Sequence, residues 1–154
     1  MSELPRDPIH GPAAPLPLAD GERLLGAWVA DRAMYWRGHA VMALAGGVAA
    51  GVVLVWLGNP DPWVGPVAAV AALGARGAYL ASEALALSWR LTDRRLLGPG
   101  GRSIGLAEID TAKRFFGDVQ IVTRSGDKHL MKYMADAAAV VAAIEAARSG
   151  KAKR

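Results

Sequence analysis

Eighteen consecutive residues, 40–57, carry no charge, and a helix of that length rises about 27 Å, close to the roughly 30 Å hydrocarbon thickness of a bilayer. Past the turn Asn59-Pro60-Asp61-Pro62, a second apolar stretch begins at Trp63. Few folds accommodate two such stretches in a short chain. Together they predict a transmembrane helical hairpin over residues 39–87, with a folded domain attached.

The hairpin leaves room for one compact domain in a chain of 154 residues, too little for a large enzyme core. Charge is unevenly divided. Residues 1–87 hold five Lys/Arg against seven Asp/Glu, whereas residues 88–154 hold thirteen against seven. The basic character thus belongs to the C-terminal part, as suits a domain facing an anionic membrane surface or an acidic partner. The chain has no cysteine, which excludes disulfides, thiolate metal sites and a Cys nucleophile. The first thirty residues lack a basic start followed by an apolar run, so no cleavable signal peptide is expected.

Residues 1–19 carry five prolines and read as a flexible or irregular tail. Residues 20–38 form a juxtamembrane segment, within which residues 24–29 fit either a short strand or the start of a helix. Asp31 is placed to cap a helix beginning at Arg32. Tyr35, Trp36, Arg37 and His39 mark a membrane interface, aromatic and basic together. Arg76 lies in the far third of the second span, where its side chain reaches the headgroups by snorkelling, and Glu83 lies at or beyond that interface. Arg32 and Arg37 precede the hairpin, Arg90, Arg94 and Arg95 follow it, and the connecting turn holds only Asp61. Both termini are therefore expected in the cytoplasm, on a chain that crosses the membrane more than once.

From Ser88 the pattern changes to a period of two. Trp89 and Leu91 alternate with Arg90 and Thr92; Ile104, Leu106 and Ile109 lead on to Phe115 and Phe116; Val119 and Ile121 flank Gln120. Gly98-Pro99-Gly100-Gly101 and Ser125-Gly126-Asp127 are turns, the second introducing a strand over residues 128–134. The last segment is helical, with Ala137, Val140, Val141, Ile144 and Ala147 on one face and Asp136 as its cap. The fold class is α+β: a transmembrane hairpin, then a small antiparallel sheet over residues 88–149 closed by a C-terminal helix, with a basic tail over residues 150–154.

That order of pieces resembles the bacterial pleckstrin-homology-like (PH-like) membrane proteins. The matching residues are Gly21-Glu22-Arg23-Leu24-Leu25 ahead of the hairpin and Trp89-Arg90-Leu91-Thr92-Asp93-Arg94-Arg95-Leu96 after it. Ile104-Gly105-Leu106-Ala107-Glu108-Ile109, Val119-Gln120-Ile121-Val122-Thr123 and the helix over residues 136–148 follow. The resemblance covers about residues 21–149, and it is to the domain rather than to any one member. It implies a half-open β-barrel capped by a C-terminal helix, in a family that includes assembly factors of photosynthetic membrane complexes.

Motifs of catalysis are sparse. His10, His39 and His129 fall in tail, membrane edge and strand, without the spacing of a metal site. Gly98-Pro99-Gly100-Gly101-Arg102-Ser103 lacks the Gly-Lys-Ser/Thr ending of a phosphate loop. The sequence therefore leads to no enzyme, no cofactor and no metal. Basic residues are not interleaved with aromatics as in proteins that stack bases, so nucleic acid is not an expected partner.

Two candidate contact sets remain. Ala43, Gly47 and Gly51 lie four apart and form a stripe of small residues that lets a second helix approach, either the other span or a foreign helix. Arg94, Arg95, Arg102, Lys128 and Lys132 are candidates for contact with anionic lipid or a partner, and the run Arg148, Lys151, Lys153 and Arg154 has the same two readings. The expected function is that of a non-enzymatic accessory, assembly or scaffold subunit of a membrane protein complex or homo-oligomer. The alternative is a module that reads anionic lipids.

Overall fold

A computed structural model describes residues 16–150. Most of the proline-rich tail and residues 151–154 of the basic tail lie outside the described residues. The protein is α+β. A strand β1 (Leu24–Val29) comes first, then two long helices, α1 (Arg32–Trp56) and α2 (Val64–Leu85). Six strands follow: β2 (Ser88–Thr92), β3 (Arg95–Gly98), β4 (Arg102–Gly105), β5 (Ile109–Phe115), β6 (Asp118–Thr123) and β7 (Lys128–Met131). Helix α3 (Ala137–Arg148) ends the fold. The chain forms two compact units: Arg32–Leu85 is one, and the residues up to Asp31 join those from Ala86 onward in the other.

In the helical unit, α1 and α2 are both long and apolar enough to cross a membrane, and only 11% of each apolar window is buried. A core helix of a globular domain buries most of such a window. Here Val41, Leu44, Val48, Val52 and Val55 of α1 and Val67 and Val70 of α2 stand exposed.

In the second unit the strands form two antiparallel sheets, ordered β1-β2-β3-β4 and β5-β6-β7. Residues 24–29 are thus a strand: Trp28 pairs with Trp89 and Ala27 with Arg90. The segment 20–38 consequently divides, its first part belonging to the sheet and residues from Arg32 to α1. Alternate residues of both sheets enter one apolar cluster. Trp89, Leu91, Leu96, Ile104, Ile109, Ala112, Val119, Ile121 and Met131 meet Val140, Ile144 and Ala147 of α3 there. Trp89, Leu91, Ile109, Ile121 and Ile144 are thus buried in one core. Burial of each large side chain contributes roughly 1.5–3 kcal/mol, which explains why so small a sheet holds a helix against it. Asp136 starts α3 by accepting the Ala139 amide at 2.9 Å, a cap worth about 1 kcal/mol.

Three details depart from the period-two reading. Leu106–Glu108 is a 3₁₀ turn rather than strand, because Glu108 folds back to accept the Gly105 amide at 3.0 Å. Strand β7 stops at Met131 rather than running to residue 134, since Tyr133 turns to φ 59° and its amide donates to Asp118 at 2.7 Å. Phe116 is not strand at all. Phe115 pairs with Asp118, leaving Phe116-Gly117 as a two-residue hairpin turn with φ 49° and 91°. Both values are positive, as a type I′ turn requires.

Candidate functional site

The small-residue stripe of α1 is used inside the hairpin. A Cβ on Gly47 would lie 3.2 Å from Pro66 Cα, and one on Gly51 3.4 Å from Pro66 Cγ. From the other side, a Cβ on Gly65 would lie 2.9 Å from the Ala50 carbonyl carbon. Glycine at these three positions lets two backbones approach to where no side chain fits. Ala43 is half-buried on the same helix. Gly47 and Gly51 of this stripe thus lie against the second apolar helix.

The opposite end of this helix pair carries an aromatic cluster that the sequence marked only as an interface. Tyr35 is buried and its hydroxyl donates to the Gly77 carbonyl at 2.7 Å. His39 Nδ1 sits 3.0 Å from the Tyr35 carbonyl, so that nitrogen carries the proton. Gly77 makes this possible, since a Cβ there would come within 2.8 Å of the His39 ring and 3.1 Å of Trp36. The outward face of α2 is different in kind. Ala68, Ala71, Ala75, Ala78 and Ser82 are all exposed, and their spacing of three and four places them in one stripe of small side chains.

Among the basic candidates, Arg95 is committed internally. Its guanidinium Nε and Nη2 each donate to Glu22 at 2.9 Å, and Nη2 also reaches the Pro17 carbonyl at 3.3 Å. The Glu22 carboxylate accepts two more bonds, from the Ala19 amide and the Thr92 hydroxyl, both at 2.7 Å. Arg95 holds this carboxylate well below its ordinary value, down to about 2; burial opposes the shift, and the Ala19 amide and Thr92 hydroxyl add to it. Arg95 is in turn held more firmly protonated by Glu22. Next to it, the Arg23 amide donates to Asp93 at 3.0 Å. The pieces Gly21-Glu22-Arg23 and Thr92-Asp93-Arg94-Arg95, singled out separately in the sequence, thus form one polar knot that joins the start of β1 to the β2–β3 turn.

The other basic candidates do not converge on one pocket. Arg94, Arg102, Lys128 and Lys132 are exposed on different strands or turns, and the Arg102 guanidinium carbon stands 5.9 Å from the Trp89 ring centroid. Arg148 leaves the expected tail charge run: it donates to the carbonyls of Ile109 and Asp110 and pairs with Glu145 at 2.8 Å. An open cleft of about 500 Å³ is lined by Arg102 and Arg124 but also by Glu108 and Asp127. Two cations against two carboxylates give it no net preference for an anion.

A surface the sequence did not single out is the β5–β6 turn. Phe116 is 96% exposed and Phe115 46% exposed. Their rings meet edge to face, 5.0 Å between centroids at 84°, so they form a single apolar knob. Phenylalanine has no side-chain hydrogen bond to compensate a left-handed backbone, and holding Phe116 there costs on the order of 1 kcal/mol. The residue contributes nothing to the core in return. Lys113 and Arg114 are exposed on the adjoining strand. Lys132, just past the end of β7, is also exposed, and the carboxylate of Asp118 beside the turn accepts the Tyr133 amide. The signal in the sequence was Gly117, which marks residues 116–117 as a turn and so makes Phe116 a tip. The chain matches no protein-family model, no curated protein and no solved structure.

Proposed function

We propose that this chain is a membrane-anchored, PH-like, non-enzymatic protein that serves as an accessory, assembly or scaffold subunit of a membrane protein complex. The membrane part of the reading is supported by the exposed apolar faces of α1 and α2 and by the spacing of their aromatics. Trp36 and Trp56 lie twenty residues apart on α1, about 30 Å, which matches a bilayer core bounded by an aromatic belt on each side. Exposed Trp63 stands just ahead of α2 and exposed Tyr79 sixteen residues further on, about 24 Å along the helix. The basic flanks favour both termini in the cytoplasm, and the resemblance to bacterial PH-like membrane proteins favours a multi-pass place in the bacterial inner membrane. The PH-like part is supported by seven antiparallel strands in a group of four and a group of three, with one C-terminal helix packed on their shared core. Strand β1 supplies the seventh.

One observation carries the partner reading: the exposed stripe Ala68, Ala71, Ala75, Ala78 and Ser82 on α2. A helix that faces only lipid has no use for a smooth row of methyl and hydroxymethyl groups, whereas a neighbouring helix packs closely on one. The stripe first suspected on α1 is occupied by α2 itself, so the docking face moves to the opposite helix. The test is purification in mild detergent, comparing the parent with Ala71→Leu/Ala75→Leu. Leucine is harmless against lipid tails and harmful in a close helix contact. Loss of a stoichiometric companion, with insertion intact, supports the reading; an unchanged set of companions, or none in the parent, overturns it.

A further inference from the structure

We propose that the β5–β6 hairpin tip is a membrane-surface anchor, in which the paired rings of Phe115 and Phe116 enter the headgroup–acyl boundary of an anionic bilayer while Lys113, Arg114 and Lys132 meet lipid phosphates. The inference rests on the membrane reading above, and it assigns a second, peripheral contact to the sheet unit.

The knob is built for an outside contact. A two-residue turn holds the rings at the extreme end of two paired strands, so they project together on a stiff support. Phe116 adopts a φ of 49° at a position where Asn, Asp or Gly adopts that turn without strain. The strained residue is almost wholly exposed, so the fold itself gains nothing from its ring.

The chemistry around the knob selects its occupant. Lys113 and Arg114 directly precede Phe115 and are exposed, as is Lys132 just past β7; against these three cations the hairpin tip sets one carboxylate, Asp118, which accepts the Tyr133 amide. A protein partner would need an apolar socket ringed by carboxylates. An anionic lipid surface presents both features to any approaching knob, apolar acyl chains beneath a layer of phosphates, and aromatic rings favour that boundary. Basic residues close to such a surface each add about fivefold in binding. A second copy of the chain would bring its own Lys113, Arg114 and Lys132 into repulsion with these.

The absence of cysteine permits a clean test on the full chain. Phe116→Cys, and Ser125→Cys at the exposed β6–β7 turn as control, are each labelled with a nitroxide. The chains are reconstituted into phosphatidylcholine vesicles with and without phosphatidylserine. Collision with oxygen and with a water-soluble nickel complex reports what surrounds the label. At 116 the label should be accessible to oxygen and shielded from nickel in the anionic vesicles, and at 125 it should be aqueous. Lys113→Gln/Arg114→Gln should lower the ratio of inserted to aqueous label at 116 by about 30-fold, two basic contacts being removed. An aqueous label at 116 in chains that remain with the vesicles overturns the anchor alone. A label shielded from both reagents, or broadened by a second nitroxide, places protein on the knob and also overturns it. Chains that wash off the vesicles in alkaline carbonate overturn the membrane reading and the anchor with it.

Discussion

Glu22 and Arg95 form a two-pronged ion pair in which the guanidinium Nε and Nη2 each lie 2.9 Å from a different oxygen of one carboxylate. The Glu22 side chain is wholly shielded from solvent, and that of Arg95 is 28% exposed. The pair is a fastening. The strand that precedes the two long helices must find its place beside a strand that follows them, and the loop between the two is closed by this contact and by the β1–β2 ladder. A long excursion between paired strands makes that closure entropically costly, though the cost grows only slowly with length.

The ion pair predicts a defined pH dependence. Folding moves Glu22 from its ordinary value of 4.5 to about 2, so between those values the folded chain binds fewer protons than the unfolded chain. Stability from this group is complete above about 4.5 and is lost as pH falls towards 2. Glu22→Gln should destabilise the protein by about 2 kcal/mol near neutrality, the value of hydrogen bonds to a charged group. That deficit should shrink progressively as pH falls below 4.5. Thermal melts of both proteins in mild detergent across this range check it, and a gap that stays constant with pH would refute an ionised Glu22.

Gly98 and Trp89 make a second prediction, from space alone. The backbone at Gly98 has φ −123°, which any residue adopts. A Cβ there, however, would stand 2.6 Å from Cζ3 of the buried Trp89 ring. Gly98→Ala should therefore cost about 1–3 kcal/mol by overpacking. Trp89→Phe in the same chain should recover part of that loss, because the smaller ring vacates the contested volume. Additive losses in the double variant, measured by denaturant unfolding, would show that the two positions do not compete.

What was legible in the sequence was what local pattern encodes. An uncharged run of helical length found α1, and alternation around Gln120 found β6. A carboxylate three residues ahead of an amide found the start of α3. What escaped depends on partners remote in sequence. Residues 24–29 are ambiguous by themselves, and their strand state is decided by Trp89 and its neighbours across the helices. Arg95 looked like a surface cation because Glu22, its partner, is 73 residues away. Phe116 looked like the end of an apolar strand because aromatics belong to strands by propensity. The pairing of Phe115 with Asp118 overrides that propensity and turns the ring outward. The Gly47/Gly51 stripe was visible, but its occupant, Pro66 of α2, was one of two that the spacing allowed.

The close contact between α1 and α2 predicts a ranking. Alanine at Gly65 meets backbone at 2.9 Å, alanine at Gly47 meets Pro66 Cα at 3.2 Å, and alanine at Gly51 meets only the edge of the Pro66 ring at 3.4 Å. Backbone yields least, so Gly65→Ala should lower the melting temperature in mild detergent most, Gly47→Ala less and Gly51→Ala least. Gly74, with nothing within 4 Å of a Cβ, should accept alanine without loss. A ranking that places Gly74 or Gly51 first would mean that α1 and α2 do not pack through these glycines.

Orientation supplies the last prediction. Basic residues near the ends of apolar helices are retained in the cytoplasm while the chain is being inserted, before any tertiary contact has formed. On the proposed membrane reading, Arg95 counts in that choice although Glu22 holds it in the fold. Arg32 and Arg37 stand at the start of α1, Arg90, Arg94 and Arg95 follow α2, and the turn between the helices offers only Asp61. A reporter at either terminus should read cytoplasmic, and one inserted at Asp61 should read external. Arg32→Gln/Arg37→Gln combined with Asn59→Arg/Asp61→Arg removes the bias on one side of α1 and creates it on the other. A mixed or inverted population should appear in that variant. An external C-terminal reporter in the parent chain would reject this topology, and an unaltered topology in the charge-swapped chain would show that these arginines do not set it.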